Sequence, residues 1–243
     1  MSAESSRHVD LSVVIPVYNE QDNLAPLLAE VGAALAPLSR SYEVLFVNDG
    51  SSDGSGVVLE RLRASDAHVR VVTFARNAGQ TAAMDAGFRR ARGEIVITLD
   101  ADLQNDPADI PRLLADLPGW DAVVGVRARR RDSLVRRISS RVANYVRNRL
   151  SDETISDTGC SLKAYRRTAL SRLVLFNGMH RFLPTLLKME GFRVRETMVG
   201  HRPRRHGESK YGIGNRLVPS FMDLMAVRWM KRRKLRYEVK DES

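Results

Sequence analysis

Apolar residues along the first 127 positions fall into short runs that alternate with stretches of helical spacing. Leu11 to Pro16, Tyr42 to Val47, Val69 to Phe74, Glu94 to Leu99 and Ala122 to Val126 read as strands. They are short, rich in β-branched residues and bounded by polar turn formers. Between them, Asp22 to Leu38 carries Leu24, Leu27, Leu28, Val31 and Leu35 at helical spacing. Val57 to Leu62, the alanine-rich Gln80 to Ala91 and Pro107 to Leu117 also read as helices, with Gly93 placed to cap the second of these three. Strands alternating with helices of this length predict βαβ units and an α/β fold with a mostly parallel central sheet. In such sheets ligands bind beyond the carboxyl ends of the strands.

From residue 128 the pattern changes. Arg129 to Leu150 is arginine-rich, with Leu134, Ile138, Val142, Tyr145 and Val146 at amphipathic spacing. A polar loop, Ser151 to Gly159, precedes a strand-like Cys160 to Tyr165 and a short helix, Arg167 to Leu175. His180 to Glu190 reads as a helix ended by Gly191, and Arg193 to Val199 as a strand. A basic loop, 201–212, leads into an amphipathic segment, Asn215 to Met230.

Composition narrows the class. With 243 residues, 43% of them hydrophobic, the chain can bury a sizeable core. The single cysteine, Cys160, excludes an intrachain disulfide framework and reads as a small core residue. The polar start lacks the apolar region of a secretory signal, and no apolar run approaches the roughly 18 residues of a spanning helix. Charge is divided sharply: residues 1–120 hold 10 Lys+Arg against 17 Asp+Glu, and residues 121–243 hold 29 against 12. The second half therefore suits an anionic partner, whether nucleic acid, a membrane surface or a phosphorylated lipid, although a solvated basic face explains the same count. Few aromatic residues interleave with the basic ones, which disfavours nucleic acid, whose bases need stacking platforms.

Polar signals cluster at the ends of the predicted strands: Val17 to Glu20, Asn48 to Gly54, Arg76-Asn77-Ala78-Gly79, and Asp100 to Pro107. Asp100 and Asp102, two apart in an extended segment, point the same way. Carboxylates held that close repel unless one is protonated or a cation lies between them. Mg²⁺ commonly uses one or two carboxylates plus substrate phosphates, and Gln104 adds an amide oxygen. A turn with solvated aspartates accounts for the same residues, and Asp106 before Pro107 is ordinary turn chemistry. His180, His201 and His206 lack metal-ligand spacing. Trp229 and Met230 suit a core or an interfacial position equally.

Taken together, these motifs, from Val-Ile-Pro-Val-Tyr-Asn-Glu to Asp-Ala-Asp-Leu-Gln, resemble glycosyltransferase family 2 with its GT-A, Rossmann-like nucleotide-sugar fold. More narrowly, the chain looks like the polyprenyl-phosphate glycosyltransferases of the dolichyl-phosphate mannose synthase type, over residues 11 to about 215. The resemblance implies that Pro16, Tyr18, Glu20, Asp49, Arg76, Asn77, Gly79 and Asp100 bind the donor nucleotide. It implies a divalent metal, Mg²⁺ or Mn²⁺, on Asp100, Asp102 and Gln104. Arg127, Arg136 and Ser140 match residues that hold phosphate and, with Asp102, carry catalysis. Arg202, Arg204, Arg205, Ser209 and Lys210 match a basic loop that closes over the donor and reaches the acceptor. Asp157 matches an acidic turn that orients the acceptor arginines or caps its own loop.

The implied organisation is a disordered N-terminus, 1–10, a catalytic domain, 11–212, and an amphipathic membrane-associating segment with a basic tail, 213–243. Within the catalytic domain, 11–127 would serve the donor and 128–212 the acceptor. The implied activity is inverting transfer of a sugar from a UDP- or GDP-sugar to undecaprenyl or dolichyl phosphate. A phosphate acceptor is already an oxyanion near neutral pH, so orientation and charge control suffice without a strong general base. The alternative is a family 2 enzyme acting on a glycan hydroxyl, which would need such a base. The expected location is peripheral, on the cytoplasmic face of the cell membrane, with an integral membrane partner as a further expectation and no nucleic acid.

Overall fold

The computed structural model describes residues 9–127, 155–203, 214–235 and 241, the side chains of 214–220 excepted. The chain forms two compact units, one of 1–131 and 155–209, the other of 132–154 and 210–243. In the first, seven strands form one sheet: β1 (Leu11–Val17), β2 (Tyr42–Asn48), β3 (Val69–Thr73), β4 (Ile95–Thr98), β5 (Ala122–Arg127), β6 (Lys163–Arg166) and β7 (Val194–Val199). Their order is β3-β2-β1-β4-β6-β5-β7. All neighbouring pairs are parallel except those of β6, which runs antiparallel between β4 and β5.

The alternation within β1 shows why both faces are covered. Val13 and Ile15 pack with Leu24, Leu27 and Val31 of α1 (Gln21–Leu35), Leu59 of α2 (Ser55–Ser65) and Leu113 of α4 (Ile110–Asp116). Val14 faces the opposite side, with Ala83 and Met84 of α3 (Gln80–Arg90), Tyr165, and Leu183 and Leu187 of the helix Leu183–Met189. Burying each such aliphatic side chain contributes about 1.5–3 kcal/mol, which is why a central parallel strand is apolar at nearly every position. In this unit each described helix lies between the end of one strand and the start of another, and the loops at the carboxyl ends of the parallel strands lie along one edge of the sheet.

Several local expectations change. The first helix stops at Leu35 and continues as a 3-10 turn, Ala36–Leu38. Pro107–Asp109 is likewise a 3-10 turn before α4, capped by Asp106, whose carboxylate accepts from the Ala108 N–H at 3.0 Å. Gly93 is not a helix cap, because α3 ends at Arg90. Its N–H donates to Ser12 Oγ at 2.8 Å, and a Cβ there would lie 2.5 Å from the Ser12 nitrogen, so glycine is required by close approach to β1. The strand expected at Cys160–Tyr165 begins at Lys163, and the helix after it spans only Arg167–Leu170. The helix expected at 180–190 is a 3-10 turn, Met179–Phe182, followed by Leu183–Met189, with Gly191 beyond it in the left-handed region at φ 87°. The amphipathic stretch expected at 129–150 lies outside the described residues. In the second unit, the helix Gly214–Arg233 is 20 residues long. Among the described residues no helix is long and apolar enough to cross a membrane.

Candidate active site

The loop after β1 is tied to the loop after β2. Asn19, in the left-handed region at φ 55°, donates its N–H to Ser51 Oγ at 3.0 Å and accepts from the Ser52 N–H at 2.8 Å. The Glu20 N–H donates to Ser55 Oγ at 3.0 Å, and the Glu20 carboxylate accepts from Asn23 Nδ2 at 2.6 Å. Pro16 sits half-buried in β1 and Tyr18 is exposed, so the loop offers an aromatic face beside two fixed polar groups.

Asp49, at the end of β2, is buried, and both carboxylate oxygens are engaged. It accepts from Asn77 Nδ2 at 2.9 Å, from the Ala78 N–H at 2.7 Å and from the Gly79 N–H at 2.9 Å. Gly50 follows at φ 63°, where a Cβ would stand 2.4 Å from the Arg76 carbonyl carbon. The two loops are therefore seated directly on one another, and Asp49 anchors the segment that presents the exposed Arg76 and Asn77.

The acidic pair lies at the end of β4. Asp100 accepts from Gln80 Nε2 at 2.8 Å, which ties it to the start of α3, and its N–H donates to Ser161 Oγ at 3.3 Å. Ser161 in turn donates to Asn105, and Thr98 donates to the Ser161 carbonyl at 2.7 Å. Leu103 is buried in the left-handed region at φ 58°, an arrangement that costs a non-glycine residue about 1–2 kcal/mol. It turns the backbone so that the Gln104 N–H donates to Asp102 Oδ1 at 3.1 Å. The cost is borne at a loop that carries the acidic pair, as strained backbone commonly is.

Electrostatics mark the pair. Asp100 is pushed up to about 6, first by enclosure in protein and then by the Asp102 charge, against the pull of Ser161, Lys163 and Arg127. Lys163, opposite Thr98 in the sheet and 2% exposed, is a buried ammonium that burial pushes down, with Cys160, Asp100 and Asp157 partly restoring it. Arg127, closing β5, forms a bidentate pair with Asp157: Nε to Oδ2 at 2.7 Å and Nη2 to Oδ1 at 2.8 Å. Asp157 also accepts from the Gly159 N–H at 3.2 Å, so it both holds the arginine and caps its own turn.

Arg202 closes the other side of the acidic loop. Its guanidinium pairs with Glu30 and Asp106, each at 2.6 Å, and its N–H donates to the Gln104 carbonyl at 2.9 Å. Pro16, Tyr18, Glu20, Asp49, Arg76, Asn77, Gly79, Asp100, Asp102, Gln104, Arg127 and Arg202 thus lie at strand ends or on the loops that follow them, along one edge of the sheet. Arg136, Ser140, Arg204, Arg205, Ser209 and Lys210 lie outside the described residues. Sequence reading missed Lys163, Ser161, Gln80 and Asn105. For Lys163 a signal existed, a lone cation inside the apolar run Leu162-Lys163-Ala164-Tyr165.

Asp100, Asp102 and Gln104 carry hard oxygen donors, and Asp100 is raised first by burial and then by the neighbouring Asp102 charge. Among the described residues no group of three or more His, Cys, Asp or Glu converges on one point. A hard divalent cation fits such a pair if substrate phosphate oxygens complete its shell.

The mostly parallel seven-stranded sheet, with β6 reversed and an acidic pair at the end of β4, is a fold of the GT-A class. The chain belongs to glycosyl transferase family 2, whose family model matches residues 12–174. It is 44% identical over 217 residues to the undecaprenyl-phosphate 4-deoxy-4-formamido-L-arabinose transferase of Pseudomonas fluorescens, covering 88% of this chain and 63% of that protein. It is 39% identical over 234 residues to the dodecaprenyl-phosphate galacturonate synthase of Rhizobium johnstonii, covering 94% and 69%. The chain therefore spans about two thirds of the length of these curated relatives. Among solved structures, glucosyl-3-phosphoglycerate synthase from Mycobacterium tuberculosis, in complex with Mn²⁺, UDP and glucosyl-3-phosphoglycerate, matches with a TM-score of 0.67 at 19% identity, over 92% of this chain and 80% of that one.

Proposed function

We propose that this chain transfers a sugar, with inversion, from a UDP- or GDP-sugar to a polyprenyl phosphate, using Mg²⁺ or Mn²⁺, at the cytoplasmic face of a membrane. The observation that carries the reading is the Asp100–Asp102 pair in the loop after β4, where burial first and the Asp102 charge second disfavour a bare Asp100 carboxylate that a cation would stabilise. The relatives named for undecaprenyl and dodecaprenyl phosphate support the acceptor class, and the Mn²⁺–UDP complex of the mycobacterial enzyme supports the donor class.

Asp100, Asp102 and Gln104 would hold the cation, which when bound supplies Lewis-acid charge to the leaving diphosphate. Every other role belongs to the chain's own side chains. Tyr18, Glu20 and the loop that Asp49 anchors would hold the nucleotide. Gln80 keeps Asp100 aimed at the site through its 2.8 Å hydrogen bond. Asp157 fixes the plane of Arg127, so that its remaining N–H groups face phosphate without a search over rotamers. Arg136, Ser140, Arg202, Arg204, Arg205, Ser209 and Lys210 would bind the acceptor phosphate and the diphosphate. In this reading 11–127 serves the donor and 128–212 the acceptor. An acceptor phosphate with a second pKa near 6 attacks as an oxyanion, so the arginines orient it and limit charge repulsion.

The test is direct. Purified protein is incubated with a panel of UDP- and GDP-sugars, undecaprenyl phosphate, and Mn²⁺, Mg²⁺ or EDTA, and the lipid fraction is analysed by mass spectrometry. The expected result is one polyprenyl-phosphate sugar, formed with metal and absent with EDTA. Glycosylation of a glycan hydroxyl, with no lipid product from any donor, would overturn the reading.

A further inference from the structure

The reaction proposed above leaves Lys163 without a task. The residue opens β6, and antiparallel pairing sets it directly opposite Thr98, two residues before Asp100. Opposed residues share a face of the sheet, as do residues two apart along a strand. Lys163 therefore rises with Thr98 and Tyr165 on the side covered by α3, whose Gln80 is bonded to Asp100. It is 2% exposed. Among the described residues its ammonium has no hydrogen bond and no ion pair; its charge acts at longer range with those of Asp100, Asp157 and Arg127, beside the Cys160 thiol. Enclosing an ammonium without a partner is costly, so a fold that keeps one at a site has a use for the charge.

The balance of charge shows what that use is. The charges that act on Asp100 are those of Asp102, Lys163 and Arg127. Arg127 is neutralised by Asp157, which accepts from it through both carboxylate oxygens. Two negative charges, Asp100 and Asp102, are therefore opposed by one free positive charge, Lys163. A divalent cation arriving alone over-compensates such a group and leaves net positive charge inside the protein. A nucleotide diphosphate brings enough negative charge to balance the same cation. Lys163 repels the first and attracts the second. We infer that Lys163 is a positioning residue that acts through Asp100: its fixed charge weakens the acidic pair's hold on a lone divalent cation and strengthens the site's hold on the diphosphate, so that cation and donor are retained together. The inference rests on the function proposed above for the cation and the diphosphate.

Binding measurements on the full chain, with no turnover, test it. Calorimetry at a pH well above the value of about 6 at Asp100 follows Mn²⁺ alone, UDP alone in EDTA, and UDP with Mn²⁺. The wild type is compared with Lys163→Met and Lys163→Arg. A unit charge about 10 Å from another changes its binding by about ten-fold at an effective dielectric constant of about 20. Lys163→Met should therefore bind Mn²⁺ alone about ten-fold more tightly and UDP alone about ten-fold more weakly. Lys163→Arg keeps the charge and should stay close to the wild type in both. Methionine fills most of the space of the lysine stem, and the ammonium has no hydrogen bond to lose, so the ligand-free Tm should hold or rise. If Lys163→Met does not fold, Lys163→Gln carries the same two opposite expectations. A merely structural lysine gives a lower Tm with both ligands weakened, and that result overturns the inference. So do unchanged constants in Lys163→Met while the wild type binds UDP with Mn²⁺, an outcome that leaves the transferase reading standing. A wild type that binds neither Mn²⁺ nor UDP, separately or together, removes both.

Discussion

Asp49→Asn separates an anchoring role from a ligand-contacting one. The family resemblance assigns Asp49 to the donor nucleotide, yet its carboxylate is buried and accepts three hydrogen bonds of 2.7–2.9 Å from Asn77, Ala78 and Gly79. Oδ2 takes the donors of Asn77 and Gly79, and Oδ1 takes that of Ala78. An amide in the same place keeps one oxygen, which serves two of these donors best, and turns an NH₂ toward the third. That leaves a part-buried N–H unpaired, at about 1–2 kcal/mol, and removes the charge assistance from the other two bonds, each worth about 1 kcal/mol more when the acceptor is ionised. The expected loss is about 3–4 kcal/mol, or roughly 6–16 °C in Tm for a chain of this size. The measurement is thermal and urea unfolding without nucleotide, with the exposed Tyr18→Ala as a control that should stay within about 1 kcal/mol. A weaker nucleotide affinity follows from either role, so it decides nothing. A nucleotide-free Tm within about 1 °C of wild type would refute the anchoring role.

Asp102→Asn should abolish turnover and the Mn²⁺-dependent part of UDP binding while leaving the Tm near that of the wild type; near-normal activity at limiting metal would reject the clamp. For the wild type, Mn²⁺ with UDP at about one hundred times the dissociation constant should stabilise the fold by about 2.7 kcal/mol, a gain that EDTA removes and that calorimetry reads directly. Asp157→Ala should destabilise by about 3–5 kcal/mol, because it strands the Arg127 guanidinium in a pair whose side chains are only 12% and 16% exposed. An unfolding midpoint unchanged in urea would contradict that. Arg136→Ala should lower kcat/KM for polyprenyl phosphate far more than it weakens donor binding, with Arg136→Lys recovering only part, since a lysine keeps the charge without the fork. Steady-state kinetics at saturating donor check it.

The order of strands and helices through residue 127 was legible in the sequence because hydrophobic periodicity is local, and each element needs only its own spacing to declare which side is buried. The polar segments at the strand ends were legible for the same reason, although Asp100 and Asp102 follow β4 into a turn and not the extended segment that their i, i+2 spacing assumed. What tertiary structure decided is what joins distant segments. The reversal of β6 between β4 and β5 brings Lys163 opposite Thr98, 65 positions earlier, beside the acidic pair. The Arg127–Asp157 fork closes over 30 residues of sequence, and Arg202 reaches Glu30 across 172. Gly93 looked like a helix cap and proved to be a close approach to β1. Asp49, expected at the nucleotide or in a turn, also seats the next loop, which only the fold shows. On the last helix, the spacing of apolar residues announced an amphipathic segment, but the covering of Leu224 and Val227, and not of Trp229, is a fact of packing. Local periodicity reports which residues prefer burial; which partner satisfies a buried charge, a glycine or a helix face depends on segments that only the folded chain brings together.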